Sequence, residues 1–361
     1  MVQNGVMKNK TLVAKIKHTF PNEVCHSLSR WVIISFVFLF LSCTNETKTA
    51  EETKQLEVKT PEVKHITPPD FNADSAYVYV EAQAKMGPRE PGSKAHEQAV
   101  TYYEKKFKEY GAEVIIQKTT VTSFDQKKWL SKNVIASFNP QGTSRVMLSS
   151  HWDSRPFCDR DSNKANQKKA CPGVNDGASG VGILIEVARE LAKQKPNIGI
   201  DIMLWDMEDY GQGSVESNTQ HIDDDWALGS QYWSQNMHKT SYTARFGILL
   251  DMVGAKGTVF PMEQFSVFYA SPVVNKVWSA AANLGYGNYF TNKQIGQITD
   301  DHLYVNKFAS IPTADIIGYQ PDAGGFFRYH HCLKDDMSNI DKSTLKAVGQ
   351  TLLEVIYNEQ P

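Results

Sequence analysis

Side chains able to bind a metal ion or move a proton follow one apolar, strand-like run after another in this sequence. His151 and Asp153 come directly after 145–150, Glu208 and Asp209 after 202–205, and Asp251 closes 246–250; Asp176, Asp300 and His331 stand in loops beside further elements. Imidazole nitrogens and carboxylate oxygens are ligands that zinc accepts, and a catalytic zinc keeps one coordination position open. The chain has no H-E-x-x-H pair, so any ligands must converge from separate loops. The adjacent acids Glu208 and Asp209 invite a division of labour. Successive side chains of a strand point to opposite faces, so one acid can bind a metal while the other handles protons.

Each residue taken alone has a plainer reading. His151-Trp152-Asp153 could be a hydrogen-bonded core pair, and Asp176, in Asn-Asp-Gly-Ala-Ser-Gly, a helix N-cap. Asp251 could orient a neighbouring amide, Asp300-Asp301-His302 could bond only within its loop, and His330-His331 could be a surface pair. Trp205 and Trp226 fit either core or pocket wall. The joint occurrence of these residues at strand ends favours one site over many separate structural roles.

Helical periodicity over 76–86, 95–110, 181–191, 272–284 and 342–357 alternates with strand-like runs at 112–118, 131–138, 145–150, from 202, 246–251 and 309–317. That alternation predicts an α/β fold with helices on both faces of a sheet, and such sheets carry their sites at the carboxyl ends of the strands. With 361 residues, 41% of them hydrophobic, the chain can bury a sizeable core in a single domain. A net charge of -2 without a long basic field gives no indication of a nucleic-acid partner.

The apolar run 31–43, preceded by Lys10, Lys15, Lys17 and Arg30, is short for a transmembrane helix and fits the apolar part of an export signal. Leu41-Ser42-Cys43 resembles a bacterial lipobox, with Cys43 the lipidated residue; Phe40 departs from the commonest pattern and leaves plain cleavage or an uncleaved anchor open. Residues 44–69 are rich in Thr, Glu, Lys and Pro, the composition of a disordered tether. The expected organisation is therefore signal and lipobox over 1–43, tether over 44–69 and catalytic domain over 70–361, in an exported, periplasmic, membrane-anchored monomer. In an oxidising compartment Cys158 and Cys171 would close a short polar loop as a disulfide, leaving Cys332 unpaired.

His151-Trp152-Asp153-Ser154, Asn175 to Gly180, Glu208-Asp209, Leu250-Asp251, Asp300-Asp301-His302 and His331 with Asp335, Asp336 and Asp341 behind it resemble, in that order, the zinc aminopeptidase-like superfamily. Within it, the chain is similar to the glutaminyl-peptide cyclotransferases of the animal and Bacteroidetes-like type, over roughly 71–361. The resemblance implies a single domain with a central mixed, mostly parallel twisted sheet flanked by helices. It implies one zinc per chain held by Asp176, Asp209 and His331, with Glu208 as general acid and base and Asp251 and Asp300 completing a carboxyl network. Phe326 and His330 fall where the family has pocket walls, and Trp226 is the counterpart available for a pocket tryptophan, because 212–225 looks like an insertion. The implied substrates are peptides and proteins with an N-terminal glutamine.

The rival reading is a zinc aminopeptidase of the same fold, in which Glu208 activates water and His151, Asp176 and Asp251 hold a second metal, with Asp153 beside them. The doubled acid at Asp300-Asp301 and the long cysteine-flanked segment between His151 and Asp176 favour the cyclase. A non-enzymatic ectodomain would predict loss of a ligand or of Glu208, and neither is lost.

Overall fold

A computed structural model describes residues 65–213 and 224–361. The expected export segment with Cys43, and residues 44–64 of the expected tether, lie outside the described residues. Residues 65–69 run along the C-terminal helix, where His65 meets Glu354, Asn358 accepts from the Ile66 amide, and Gln350 donates to the Pro69 carbonyl.

Helices α1 (Ala73–Ala84) and α2 (Lys94–Glu109) lead into the antiparallel pair β1 (Glu113–Thr122) and β2 (Lys128–Phe138). There follow β3 (Arg145–His151), α3 (Ala178–Lys193), β4 (Gly199–Trp205), α4 (Leu228–Gln235), β5 (Phe246–Asp251), β6 (Phe260–Met262), α5 (Gln264–Asn283), β7 (Phe290–Gln294), α6 (Asp301–Tyr304), β8 (Thr313–Ile317) and α7 (Lys342–Tyr357). The main sheet is six-stranded in the order β1-β2-β4-β3-β5-β8. Strands β4, β3, β5 and β8 are mutually parallel, and β2 meets β4 antiparallel, which is the mixed, mostly parallel sheet the resemblance implies.

Period-two side-chain alternation explains why both faces are covered. Val146, Leu148, Ile202, Leu204, Ile248 and Leu250 point into the main core, against α1, α3 and α7. Their neighbours Met147, Met203, Trp205 and Leu249 point to the other face, against Trp233 of α4 and Val305. Every residue of β3, β4, β5 and β8 is buried, the pattern of parallel strands sandwiched between helices. Each fully buried Val, Leu or Ile contributes about 1.5–3 kcal/mol, so the sheet is a rigid platform for what its ends carry.

Three elements depart from the sequence reading. The helix expected over 272–284 begins at Gln264, because Pro272 lies inside it and Ala270 (φ -136°, ψ 34°) kinks it there. The strand expected from 309 starts at Thr313, since Val305–Ala309 winds as a π-turn and Ser310 takes a left-handed φ of 55°. Asp300-Asp301-His302 is not simply loop: Asp300 caps α6 by accepting the Asp301 amide at 2.5 Å. Among the described residues no helix is long and apolar enough to cross a membrane.

Candidate metal and proton-transfer site

The parallel strands β3, β4 and β5 end side by side, at His151, Trp205 and Asp251, and the chain turns sharply after each of the last two. Met207 and Met252 both have left-handed backbones, with φ of 58° and 51°, and so does His331 with φ of 55°. Such conformations cost non-glycine residues on the order of 1–3 kcal/mol and persist where the surroundings over-determine them. Glu208 and Asp209 therefore sit on a tight loop beyond the end of β4, and the strand-alternation argument for their separate roles does not apply. What fixes the pair is a backbone clamp. Asp153, fully buried, accepts the Glu208 amide at 3.1 Å with one carboxylate oxygen and the Asp209 amide at 3.2 Å with the other. Asp206 anchors the same loop by pairing with His96 at 2.9 Å and accepting the Lys132 amide at 2.7 Å.

The loop before α3 is built the same way. Asp335 accepts the Asn175 amide at 2.7 Å and the Asp176 amide at 3.1 Å. Gly177 (φ 92°) is the N-cap of α3, so Asp176 is not a helix cap. A Cβ on Gly177 would lie 2.9 Å from the Asp153 carbonyl oxygen and from His151 Cε1, and one on Gly180 2.3 Å from Ser150 Oγ. The Asn-Asp-Gly-Ala-Ser-Gly run is thus required by the close approach of α3 to β3.

These loops direct one set of donors at a common point. His331 Nε2 lies 3.0 Å from Asp209 Oδ1 and 3.6 Å from Asp176 Oδ2, and His330 Nε2 lies 3.6 Å from the same Asp176 oxygen. Both carboxylate oxygens of Asp209 are buried and accept no hydrogen bond from any described residue, although His331 Nε2 stands at contact distance. Two donors pressed together without a hydrogen bond between them fit the ligand shell of a cation, and nitrogen with carboxylate oxygen suits zinc. Asp159 Oδ1 lies 3.4 Å from His331 Nδ1, the arrangement that leaves Nε2 free to bind a metal. His330 instead takes a hydrogen bond from Arg160 on Nδ1 at 2.7 Å.

On the other side of Asp176, His151 Nε2 stands 3.1 Å from Asp176 Oδ1 and 3.2 Å from Asp251 Oδ1. Burial works to raise the Asp176 carboxyl, but the His151 hydrogen bond and the charges of His330 and His331 hold it below the ordinary carboxylate range. Burial together with the charges of Asp300 and Asp176 pushes Asp251 up to about 7, despite its bond to His151. Burial first, and then the carboxylates of Asp300, Asp209 and Asp301, raise Glu208 well above its usual range, against the attraction of His151. Asp300 is raised by burial as well. Burial raises Asp209 as well, against the attraction of His331, so in this cleft Asp176 alone of these carboxyls is held below the ordinary range.

The cleft has a volume of about 390 Å³ and is lined by Asp176, Glu208, Asp209, Asp251, Asp300 and His331, with Trp226, Phe326 and His330 as walls. The nominated zinc ligands, proton-transfer residues and the walls Trp226, Phe326 and His330 are therefore brought together there. Asp153 acts behind the cleft as the amide clamp, His151 lies beneath it between Asp176 and Asp251, and Trp205 belongs to the core. Trp226 stacks on His331 with the rings 6.1 Å apart and 9° from parallel, and the buried Arg155 guanidinium lies 4.8 Å from the same indole. Arg155 also donates to the Asp209 carbonyl at 2.9 Å and stands 3.7 Å from Asp209 Oδ1.

Arg155, Asp159 and the clamping role of Asp335 were not singled out from the sequence, nor were Glu263 and Asp315, which flank His302 at 3.0 and 3.7 Å behind Asp300. An acid four residues after Arg155 is the signal that could have drawn attention to the first pair. Cys158 and Cys171 are buried free thiols, and burial first, then the neighbouring Cys158, raises the Cys171 thiol; Cys332 is also a buried free thiol.

Residues 133–356 match Peptidase family M28, and the chain belongs to that family. Several solved structures are similar to it over their whole length, among them an exopeptidase and a glutaminyl cyclase. A Zn-dependent exopeptidase from Parabacteroides distasonis is 48% identical, covering 81% of this chain and 100% of that one at a TM-score of 0.79. The glutaminyl cyclase of Bacteroides thetaiotaomicron, solved with N-acetylhistamine, is 46% identical, covering 81% and 100% at a TM-score of 0.80. Aminopeptidase YwaD of Bacillus subtilis is 24% identical over 63% of this chain, which spans 44% of that protein's length.

Proposed function

We propose that the protein is a zinc-dependent glutaminyl-peptide cyclotransferase, closing the N-terminal glutamine of peptides and proteins to pyroglutamate with release of ammonia. The observation that carries this reading is the placement of the buried carboxyls Glu208, Asp251 and Asp300 in one cleft with Asp176, Asp209 and His331. Intramolecular cyclisation needs a group that takes a proton from one nitrogen and returns it to another, and a carboxyl poised by burial and neighbouring acids is suited to that exchange.

Asp176, Asp209 and His331 would hold one zinc, with Asp159 orienting His331. When bound, zinc would supply Lewis-acid polarisation of the substrate's γ-carbonyl group. Glu208 takes a proton from the α-amine as its nitrogen forms the new bond to the γ-carbon. It then delivers that proton to the departing amide nitrogen, which leaves as ammonia. Burial and the neighbouring Asp300 keep Glu208 in the range where both transfers are feasible, and Asp251 completes the carboxyl network of the cleft. Trp226, Phe326 and His330 hold the glutamine side chain folded back on its own amine, which is the larger contribution when nucleophile and electrophile share one residue. The N-terminal sequence supports export and lipid attachment at Cys43, with the chain acting as a periplasmic monomer, and the adjacent Cys158 and Cys171 thiols support a disulfide in that oxidising compartment.

One observation favours a second reading. Asp176 is shared between two groups, Asp176–His330–His331 and His151–Asp176–Asp251, each with its donor atoms within 4.8 Å of one another, as two metals bridged by one carboxylate would require. A zinc aminopeptidase would use that arrangement with Glu208 activating water. Incubation with a Gln-initiated and a Leu-initiated peptide separates the two: ammonia release from the first alone supports the cyclase, and free leucine from the second overturns it.

A further inference from the structure

The catalytic cleft does not end at Phe326. Two smaller cavities open beyond it, of about 260 and 220 Å³, and both are reached past Arg160, Phe326 and Gly325. The first shares Arg160, Gln297, Ile298 and Phe326 with the cleft itself, so it is a continuation of the same depression. Its walls are Ile295, Ile298, Tyr319 and Phe326, closed by Gly296 and Gly325. The second is polar, with Arg160, Arg328 and His330 among its lining residues.

The apolar wall is anchored. Ile295, Ile298 and Phe326 pack on a small core of Met252, Ala255, Ile317 and Phe327. Met252 follows Asp251 and Ile317 ends β8, so the strands that position the acids also position this wall. At the junction stands Arg160, exposed, common to all three cavities and paired with no carboxylate of the described residues. Its guanidinium hydrogen-bonds His330, and its amide donates to the His331 carbonyl at 3.3 Å. Lys293 lies 5.5 Å from the Tyr319 ring, adding a second positive charge at the rim.

We propose that this groove is the binding site for the substrate residues that follow the N-terminal one: an apolar side chain at position two against Ile295, Ile298 and Tyr319, and a carboxylate at position three against Arg160. The proposal rests on the reading that the substrate's N-terminal residue occupies the cleft. The chain of such a substrate must leave the cleft, and the continuous apolar exit runs past Phe326. Because the fixed positive charge at the junction has no carboxylate partner among the described residues, an acidic residue reaching it gains what a neutral one does not.

Gly296 and Gly325 provide the test. Both glycines line the groove, a Cβ at either would meet nothing within 4 Å, and neither has a left-handed φ, so leucine at these positions adds bulk to the groove lining without a clash. Rates on glutamine amide, which fills only the cleft, are compared with those on Gln-Leu-Ala amide and Gln-Leu-Glu amide, for the unaltered chain and for Gly296→Leu, Gly325→Leu and Arg160→Gln. The expected result is kcat/KM on the tripeptides roughly tenfold above that on glutamine amide, the scale of one buried apolar side chain. Either leucine variant removes that gain and keeps the rate on glutamine amide, and Arg160→Gln removes the preference for Glu over Ala at position three. Equal tripeptide-to-amide ratios in all four proteins overturn the groove while leaving the cyclase reading intact. If leucine amide is cleaved and glutamine amide is inert, the cyclase reading fails, and the same ratios measured on Leu-Leu-Ala and Leu-Leu-Glu amides decide the groove.

Discussion

Replacing Asp153 by asparagine keeps the shape of a fully buried side chain and removes one of the two acceptors that hold the Glu208 and Asp209 amides at 3.1 and 3.2 Å. A hydrogen bond to a charged group is worth about 1.5–3 kcal/mol, and a buried amide left without a partner costs a similar amount. The asparagine oxygen can serve one amide while its NH2 opposes the other, so a loss of about 2–3 kcal/mol is expected. In a domain of this size that corresponds to a fall of roughly 4–12 °C in Tm. Because both amides belong to residues that face the cleft, kcat/KM should fall about 10–100-fold, the scale at which residues behind a metal site act. Thermal unfolding and steady-state kinetics on a Gln-initiated peptide read the two effects, and Asp153→Ala, which orphans both amides, should lose more on each. If Asp153→Asn matches the parent in both Tm and turnover, the clamp does not set the geometry of the acid pair and the reasoning is wrong.

Glu208→Gln should lower turnover about 10²–10⁴-fold while zinc content by elemental analysis stays at the parent level; retained turnover removes Glu208 from proton transfer. His238 is a pH probe remote from the cleft: burial pushes it down to about 4, and its Nδ1 accepts from Trp233 Nε1 at 3.1 Å, so it is neutral when folded. A folded-state pKa below the unfolded one means stability that is present above about pH 6.5 and lost as pH falls through 4, here about 2 kcal/mol after discounting for partial exposure. Urea unfolding at pH 7 and pH 4 should show that loss in the parent and not in His238→Gln; equal losses contradict it. For Cys158 and Cys171, a thiol count on the denatured, periplasmically expressed protein should find one free cysteine among the three of the catalytic domain, and three would exclude the bridge.

Much of the site was legible because its donors lie where apolar runs stop: His151 and Asp251 end β3 and β5, and Glu208 and Asp209 follow β4 within a few residues. The C-terminal helix, Lys342–Tyr357, was legible to the residue, since Asp341 caps it by accepting the Ser343 amide and its apolar period is regular. The residues behind the site were not legible. Asp335 clamps amides 160 and 159 positions away, and nothing local in either segment announces that contact. Arg155 and Asp159 looked like polar loop residues until the fold carried Asp209 and His331 to them. Short β6 and β7 lack the length to show alternation, and Pro272 masked the first half of α5 by mimicking a helix start. The division of labour between Glu208 and Asp209 was inferred from strand geometry they do not have. Their different partners, His331 for one and the Asp300 side for the other, keep the roles distinct.

Cyclisation requires that the nucleophile at Glu208 be the substrate's own amine and not water. Mass spectrometry of a single Gln-initiated peptide after incubation with the zinc-loaded protein tests it most directly. Cyclisation yields a full-length peptide lighter by one ammonia, with ammonia appearing in equal amount. Free glutamine together with a peptide one residue shorter would contradict it.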